Sequence, residues 1–306
     1  MIEEKTLLHI PIMLREAAQF LNLQYGENFL DCTFGGGGHS RYFLENYPNI
    51  TLFAIDRDPQ VVPHAEKLRK EFGHRFQFFT CPFSTIDQLS LPPLRGIFFD
   101  FGISTLQLDN ETRGFSFRYH TPLDMRMDPQ RGMAACEFLE TADRRQLIEA
   151  IRDFGEERHW RKIITLILSH RGSEVIQYAD TFAECIAKNL PKKSHEKIHP
   201  ATRTFQGLRI AINKELEEIR TALPKAFKQL DQGGRLVAIS FHSLEDRIVK
   251  QFFNEKAGKA IDCHEKWNGR CSVAEILTKK PITPTDAEIA SNHRSRSAKL
   301  RALEKF

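Results

Sequence analysis

The chain has 306 residues, 41% of them hydrophobic and 27% charged, and a net charge of only +4. That balance belongs to one large or two ordinary globular domains, and it excludes a disordered chain or a global basic field. The longest apolar runs fall far short of a membrane span, and residues 1–28 carry Glu3, Glu4 and Arg15 without an apolar signal core, so no membrane and no export signal are expected.

In chain order, Pro11 is expected in the first turn of a helix whose apolar face is Leu14, Ala17, Ala18 and Leu21. Phe29 to Asp31 reads as a buried strand, followed by four glycines, 35 to 38, and a helix from Ser40 to Tyr47. The glycines suggest a turn whose backbone passes close to a ligand. Thr51 to Asp56 is a second strand, and Asp56 falls 18 residues after Gly38, near the spacing at which an acid meets a ribose diol. A helix starts around Arg57-Asp-Pro59, with Val62, Ala65, Leu68 and Phe72 at helical spacing. Gln77 to Thr80 is a third strand, after which Phe83 can lie against an adenine. Gly96 to Asp100 is a fourth. Three strands ending in Asp31, Asp56 and Asp100 would put three carboxylates along the edge where open α/β sheets bind ligands.

The alternation breaks after Asp109. Residues 110–200 read as a structured loop and then helices over 144–154, 157–169 and 180–189. This is a helical domain inserted into an α/β domain made of 1–109 and 201–306. Thr202 to Leu230 carries one apolar stripe, with Pro224 expected to bend or interrupt the helix. Arg235 to Ser240 is a fifth strand, Phe241 to Arg247 leads into a helix, and the C-terminal end can supply a last strand.

The site pattern suits two adenosine-bearing cofactors. A nicotinamide dinucleotide needs its glycine loop to cradle a pyrophosphate. S-adenosylmethionine has no phosphate, but it has an ammonium group, and Asp31 stands where an acid could meet it. This favours a methyl donor over a dinucleotide-dependent oxidoreductase; a non-catalytic RNA-binding assembly factor is the third class. The six cysteines, at 32, 81, 136, 185, 263 and 271, form no Cys-x-x-Cys. Free thiols in a reducing cytoplasm and no metal are expected.

Nine phrases occur together: His9-Ile-Pro-Ile-Met-Leu-Arg-Glu16, Asp31-Cys-Thr-Phe-Gly35 with Gly37-Gly38-His39-Ser40, Ala54-Ile-Asp-Arg-Asp-Pro59, Asp100-Phe-Gly-Ile-Ser104 with Gln107-Leu-Asp109, Arg113-Gly-Phe-Ser-Phe117, Pro122-Leu-Asp-Met-Arg-Met-Asp-Pro129, His199-Pro-Ala-Thr-Arg-Thr-Phe-Gln206, Ile239-Ser-Phe-His-Ser-Leu-Glu-Asp-Arg247 and Arg294-Ser-Arg-Ser-Ala-Lys-Leu-Arg301. Over nearly its whole length the chain resembles the MraW family of ribosomal RNA small-subunit methyltransferases. The resemblance implies a Rossmann-like class I methyltransferase with an inserted recognition domain. It also implies S-adenosylmethionine-dependent N4-methylation of a cytidine in the decoding region of the small-subunit rRNA, in the cytoplasm, by a monomer or homodimer. Carried over by motif, Gly37, Gly38, His39, Asp56, Phe83, Asp100 and Gln107 would contact the cofactor.

The residues themselves do not specify N4 chemistry. The only Pro-Pro, at 92 and 93, lacks the acid or Asn before it and the aromatic after it that many amino-methyltransferases use, and there is no Pro-Cys for a thiol-dependent C5 route. Asp100, the loop at Ser104 or His242 would have to serve the amine. Two local basic stretches, 186–214 and 279–306, fit a polyanion. Lys192, Lys193, Lys197, Arg203, Arg209, Arg294, Arg296 and Arg301 are the expected phosphate contacts, with His199, Arg203 and His242 near the target base; the alternatives are that His242 caps the following helix and His199 serves the turn before Pro200.

Overall fold

A computed structural model describes residues 11–190, 198–259 and 272–306. Two compact units divide the chain: residues 1–102 with 216–306, and residues 103–215. The second unit is wider than the 110–200 insert expected from the sequence.

In the first unit, α1 (Leu14–Leu21) precedes β1 (Glu27–Asp31), α2 (Gly38–Asn46), β2 (Ile50–Asp56), α3 (Val62–Phe72), β3 (Phe76–Thr80) and β4 (Leu94–Asp100). The second unit holds α4 (Thr105–Asp109), α5 (Ala135–Thr141), α6 (Arg144–Ile148) running on as a π-helical stretch Glu149–Phe154, α7 (Trp160–Ser169), α8 (Ala179–Asn189) and α9 (Thr202–Asn213). The chain then returns through α10 (Glu215–Gln229), β5 (Leu230–Ser240), α11 (Ser243–Lys256), β6 (Ala274–Ile276), α12 (Asp286–Ser291) and β7 (Lys299–Lys305).

The seven strands form one sheet in the order β3-β2-β1-β4-β5-β7-β6. β1 to β5 pair in parallel, and β7 runs antiparallel to both β5 and β6. The central strands are apolar throughout because helices cover both faces: Phe29, Leu30, Ile97, Phe98 and Phe99 are all buried. The strand order reverses between β1 and β4, the switch point at which such sheets open a ligand crevice. Register fixes what lies there. Asp31 is level with Ala54 of β2 and Phe98 of β4. Asp56 and Asp100 each lie two residues further along their strands. A step of two keeps a side chain on the same face, so the three acids project to one side of the sheet.

Several local expectations change. Pro11 does not enter the first helix; Met13 takes a left-handed conformation before Leu14, at φ 54°. Pro11 instead packs on α2, where a Cβ on Gly38 would overlap its ring. The stripe across Thr202 to Leu230 is two helices, broken at Lys214 (φ 51°) and not at Pro224, which sits inside α10 with its ring exposed. Asn213 makes the break. Its side-chain amide donates to Arg209 O and Met125 O, and its carbonyl accepts from Met127 N. Those bonds tie the end of α9 to the Pro122–Pro129 loop within the second unit, where Met125 is also left-handed. The buried Arg113 holds the same loop by donating to Arg126 O and Met127 O.

The core of the second unit is apolar side chains from α5 to α9, including Leu147, Ile163, Ile167, Phe182, Ile186, Phe205 and Leu208. α9 lies against the π-helical stretch through glycine. A Cβ on Gly207 would overlap Ala150 O and stand 2.7 Å from Gly155 N. α9 therefore belongs with the helical unit, although the sequence suggests the α/β half.

Candidate active site

At the carboxyl edge of the first unit, Asp31 is fully buried. Its Oδ2 accepts from Ser40 Oγ at 2.7 Å and its Oδ1 from Thr33 N at 3.1 Å. Both its oxygens are thus engaged inside the fold, where the sequence suggests an acid for a ligand's ammonium group. It ties the start of α2 to the end of β1 and so shapes the loop. Thr33 also accepts from Asp100 N through Oγ1 at 2.7 Å, joining the tips of β1 and β4. The glycines also serve the fold. A Cβ at Gly37 (φ +76°) would stand 2.7 Å from Phe34, and one at Gly38 would strike Pro11. At these two positions the protein's own packing already requires the small residue.

Asp56 is half-buried and turned to the loop. Its Oδ2 accepts Gly35 N at 2.7 Å and its Oδ1 accepts Asp58 N at 2.9 Å. Each carboxylate oxygen has a second lone pair, so Asp56 can still accept from a diol. Asp100 differs from both. Its Oδ2 lies 3.6 Å from His39 Nδ1, while its Oδ1 is buried with no hydrogen-bond partner. His39 is itself buried, its Nε2 donating to Ile12 O at 2.9 Å, so it supports Asp100 from inside the fold. A buried acceptor without a partner is costly, and here it marks capacity for a donor from outside. Phe83, half-buried, opens a short 3-10 turn after β3 and packs edge-on to Phe99 at 5.7 Å and Phe101 at 6.1 Å.

Burial pushes the Asp31 and Asp56 carboxyls up to about 6, against partial compensation from their hydrogen bonds. Burial, then the negative neighbours Asp31 and Glu245, holds Asp100 well above the usual carboxylate range. The folded form therefore takes up protons before the unfolded form does, so these two carboxyls favour folding as pH falls from 7 toward 4. Ligand binding runs the other way, because a ribose diol needs the ionised acceptor. Cofactor affinity is expected to fall about tenfold per pH unit below 6. Calorimetric titration between pH 5 and 8 checks this, and Asp56→Asn should flatten the profile.

His242 does not reach out as a base. It caps α11, its Nδ1 accepting Glu245 N at 3.4 Å while its Nε2 stands 3.0 Å from Glu245 Oε1. Both ring nitrogens thus face one fully buried glutamate, which also accepts from Phe241 N.

In the second unit, Ser104 and Gln107 form a capping box on α4: Ser104 N donates to Gln107 Oε1 at 3.1 Å, and Gln107 N to Ser104 Oγ at 3.2 Å. These bonds engage Gln107 Oε1 and Ser104 Oγ as acceptors at the helix start. His199 is exposed and rests on Phe117, with ring centroids 4.6 Å apart. Arg203 is partly exposed on α9.

The expected phosphate contacts divide. Arg294 and Arg296 are exposed on the 3-10 turn His293–Ser297. Arg209 is not available: it grips Glu215 through two bonds of 2.8 and 2.9 Å, both side chains largely buried. Arg301 is likewise held by Asp246, at 2.7 and 3.2 Å. Arg301→Ala is expected to cost about 3 kcal/mol of stability, the usual loss when one partner of a buried pair is removed, and to leave RNA affinity alone. Denaturant unfolding against filter binding separates these effects. Lys192, Lys193 and Lys197 lie outside the described residues.

This strand order, with the loop after β1 and acids at the tips of β1, β2 and β4 on one side, defines a Rossmann-like class I methyltransferase fold. A family model described as the MraW methylase family matches residues 6–306, and the chain belongs to that family. The protein named ribosomal RNA small subunit methyltransferase H from Cyanothece sp. is 42% identical over 303 residues, covering 99% of this chain and 96% of its own. Its namesake from Nitrosomonas europaea is 41% identical, covering 98% of each chain. Among solved structures, an rRNA methylase from Streptococcus thermophilus overlays 97% of this chain and 98% of its own, at a TM-score of 0.44 and 11% identity.

Proposed function

We propose that this methylase transfers a methyl group from S-adenosylmethionine to the N4 amine of a cytidine in the decoding region of the small-subunit rRNA. The names of its relatives supply the substrate class, and the unpartnered Asp100 oxygen beside the loop carries the chemistry. When bound, S-adenosylmethionine supplies an electrophilic methyl on a sulfonium, with a neutral thioether as leaving group. The residues present fit it: Asp56 accepts from the ribose diol and Phe83 offers a ring to the adenine, which leaves Asp100 Oδ1 for the amine.

A cytosine N4 amine is a weak nucleophile because its lone pair is delocalised into the ring. Asp100 accepts one N4 hydrogen, draws electron density back to nitrogen, and takes the proton that nitrogen must lose. Burial and its negative neighbours raise its pKa, which makes the ionised carboxylate a stronger base. Asp31, Thr33 and His39 fix its position. Positioning supplies much of the rate in such an in-line displacement, and the target base must leave its stack to arrive.

Transfer of labelled methyl to small ribosomal subunits lacking the modification, followed by nucleoside analysis, tests this. N4-methylcytidine is the expected product. Label at cytosine C5, or none in any rRNA, would overturn the reading.

A further inference from the structure

α7 has no acidic residue, and the outer face of its first turn carries Arg161 and Lys162, both exposed. The Arg161 guanidinium lies over the Trp160 ring, 4.2 Å from its centroid, and Arg152 approaches the same ring at 5.6 Å. Arg152 is paired with Asp153. Arg158, Arg161 and Lys162 meet no carboxylate among the described residues, and Arg158 is exposed just before the helix. Three exposed cations thus gather at the amino end of α7, with the exposed Glu156 and the buried Glu157, which accepts from His159 N, just before them. A guanidinium resting over an indole is held in place, and Arg pairs readily with phosphate oxygens.

We infer that Trp160, Arg158, Arg161 and Lys162 form an anchor for an RNA backbone, gripping phosphates of the substrate away from the target base. This rests on the rRNA reading above. Neither basic stretch singled out from the sequence includes these residues. The partner is RNA because three exposed cations without a carboxylate partner among the described residues suit consecutive backbone phosphates.

The test is a triple variant, Arg158→Ala, Arg161→Ala and Lys162→Ala, in the full chain, assayed with naked small-subunit rRNA and with whole subunits. Affinity for both should fall at least tenfold at 0.1 M salt. The slope of log affinity against log salt should become shallower by about 2, the share of three phosphate contacts on single-stranded RNA. Melting temperature and S-adenosylmethionine affinity should match the parent. Unchanged affinity and slope would overturn the inference. So would a loss confined to whole subunits, which would mean a ribosomal protein on the patch, or a loss accompanied by a lower melting temperature. Failure of the parent chain to methylate any rRNA would instead count against the proposed reaction, since binding and salt slope are read without turnover.

Discussion

Asp100→Asn is expected to lower turnover at least a hundredfold while leaving S-adenosylmethionine affinity within a fewfold of the parent. Asparagine keeps the shape and one acceptor oxygen, and it keeps the link from Asp100 N to Thr33. It cannot take a proton. Removing a positioned base costs 10²–10⁴ in rate, and the loss should fall on kcat because the acceptor acts on the amine, not on the cofactor. Single-turnover methylation with saturating subunits reads the chemical step alone. Full turnover with unchanged cofactor affinity would remove Asp100 from the chemistry.

Gly207→Ala is expected to destabilise the second unit by about 3 kcal/mol or more, at the top of the usual overpacking range. The added methyl has nowhere to go. It meets backbone from Ala150 and Gly155, and Arg203, one turn earlier on α9, is as close: a Cβ on Gly155 would stand 2.6 Å from its carbonyl oxygen. Backbone cannot rotate aside as a flexible side chain would, so α9 must lift from the π-helical stretch Glu149–Phe154. Denaturant melts should show an early transition in the helical unit, and cofactor binding should outlast it. A variant as stable as the parent would mean that this close contact does not set the packing of the unit.

The parts of the fold that follow from periodicity were legible in the sequence. Buried parallel strands announce themselves as apolar runs, and three of them end in aspartate, so the acid row could be read before any coordinates. What each acid does could not be read, because that depends on non-local partners. Asp31 and Asp56 end their strands alike, yet Ser40 and Thr33 seal one inward while the other keeps a face toward the loop. The clash partners of Gly37 and Gly38, Phe34 and Pro11, are likewise products of folding. Arg209 and Arg301 show the same limit from the side of charge. A basic run looks the same in sequence whether its members face solvent or carboxylates such as Glu215 and Asp246. The break between α9 and α10 had a local signal, an Asn-Lys pair at a helix end, which the stronger breaker Pro224 overshadowed. His242 also had one: a residue three before Glu245 at a helix start is in capping-box position.

Calorimetric titration of the full chain with S-adenosylmethionine, and separately with a nicotinamide dinucleotide, bears most directly on the acid row and its loop. Saturable one-to-one binding of S-adenosylmethionine, weakened by Asp56→Asn and absent with the dinucleotide, is the expected result. Binding of the dinucleotide with none of the methyl donor would contradict it.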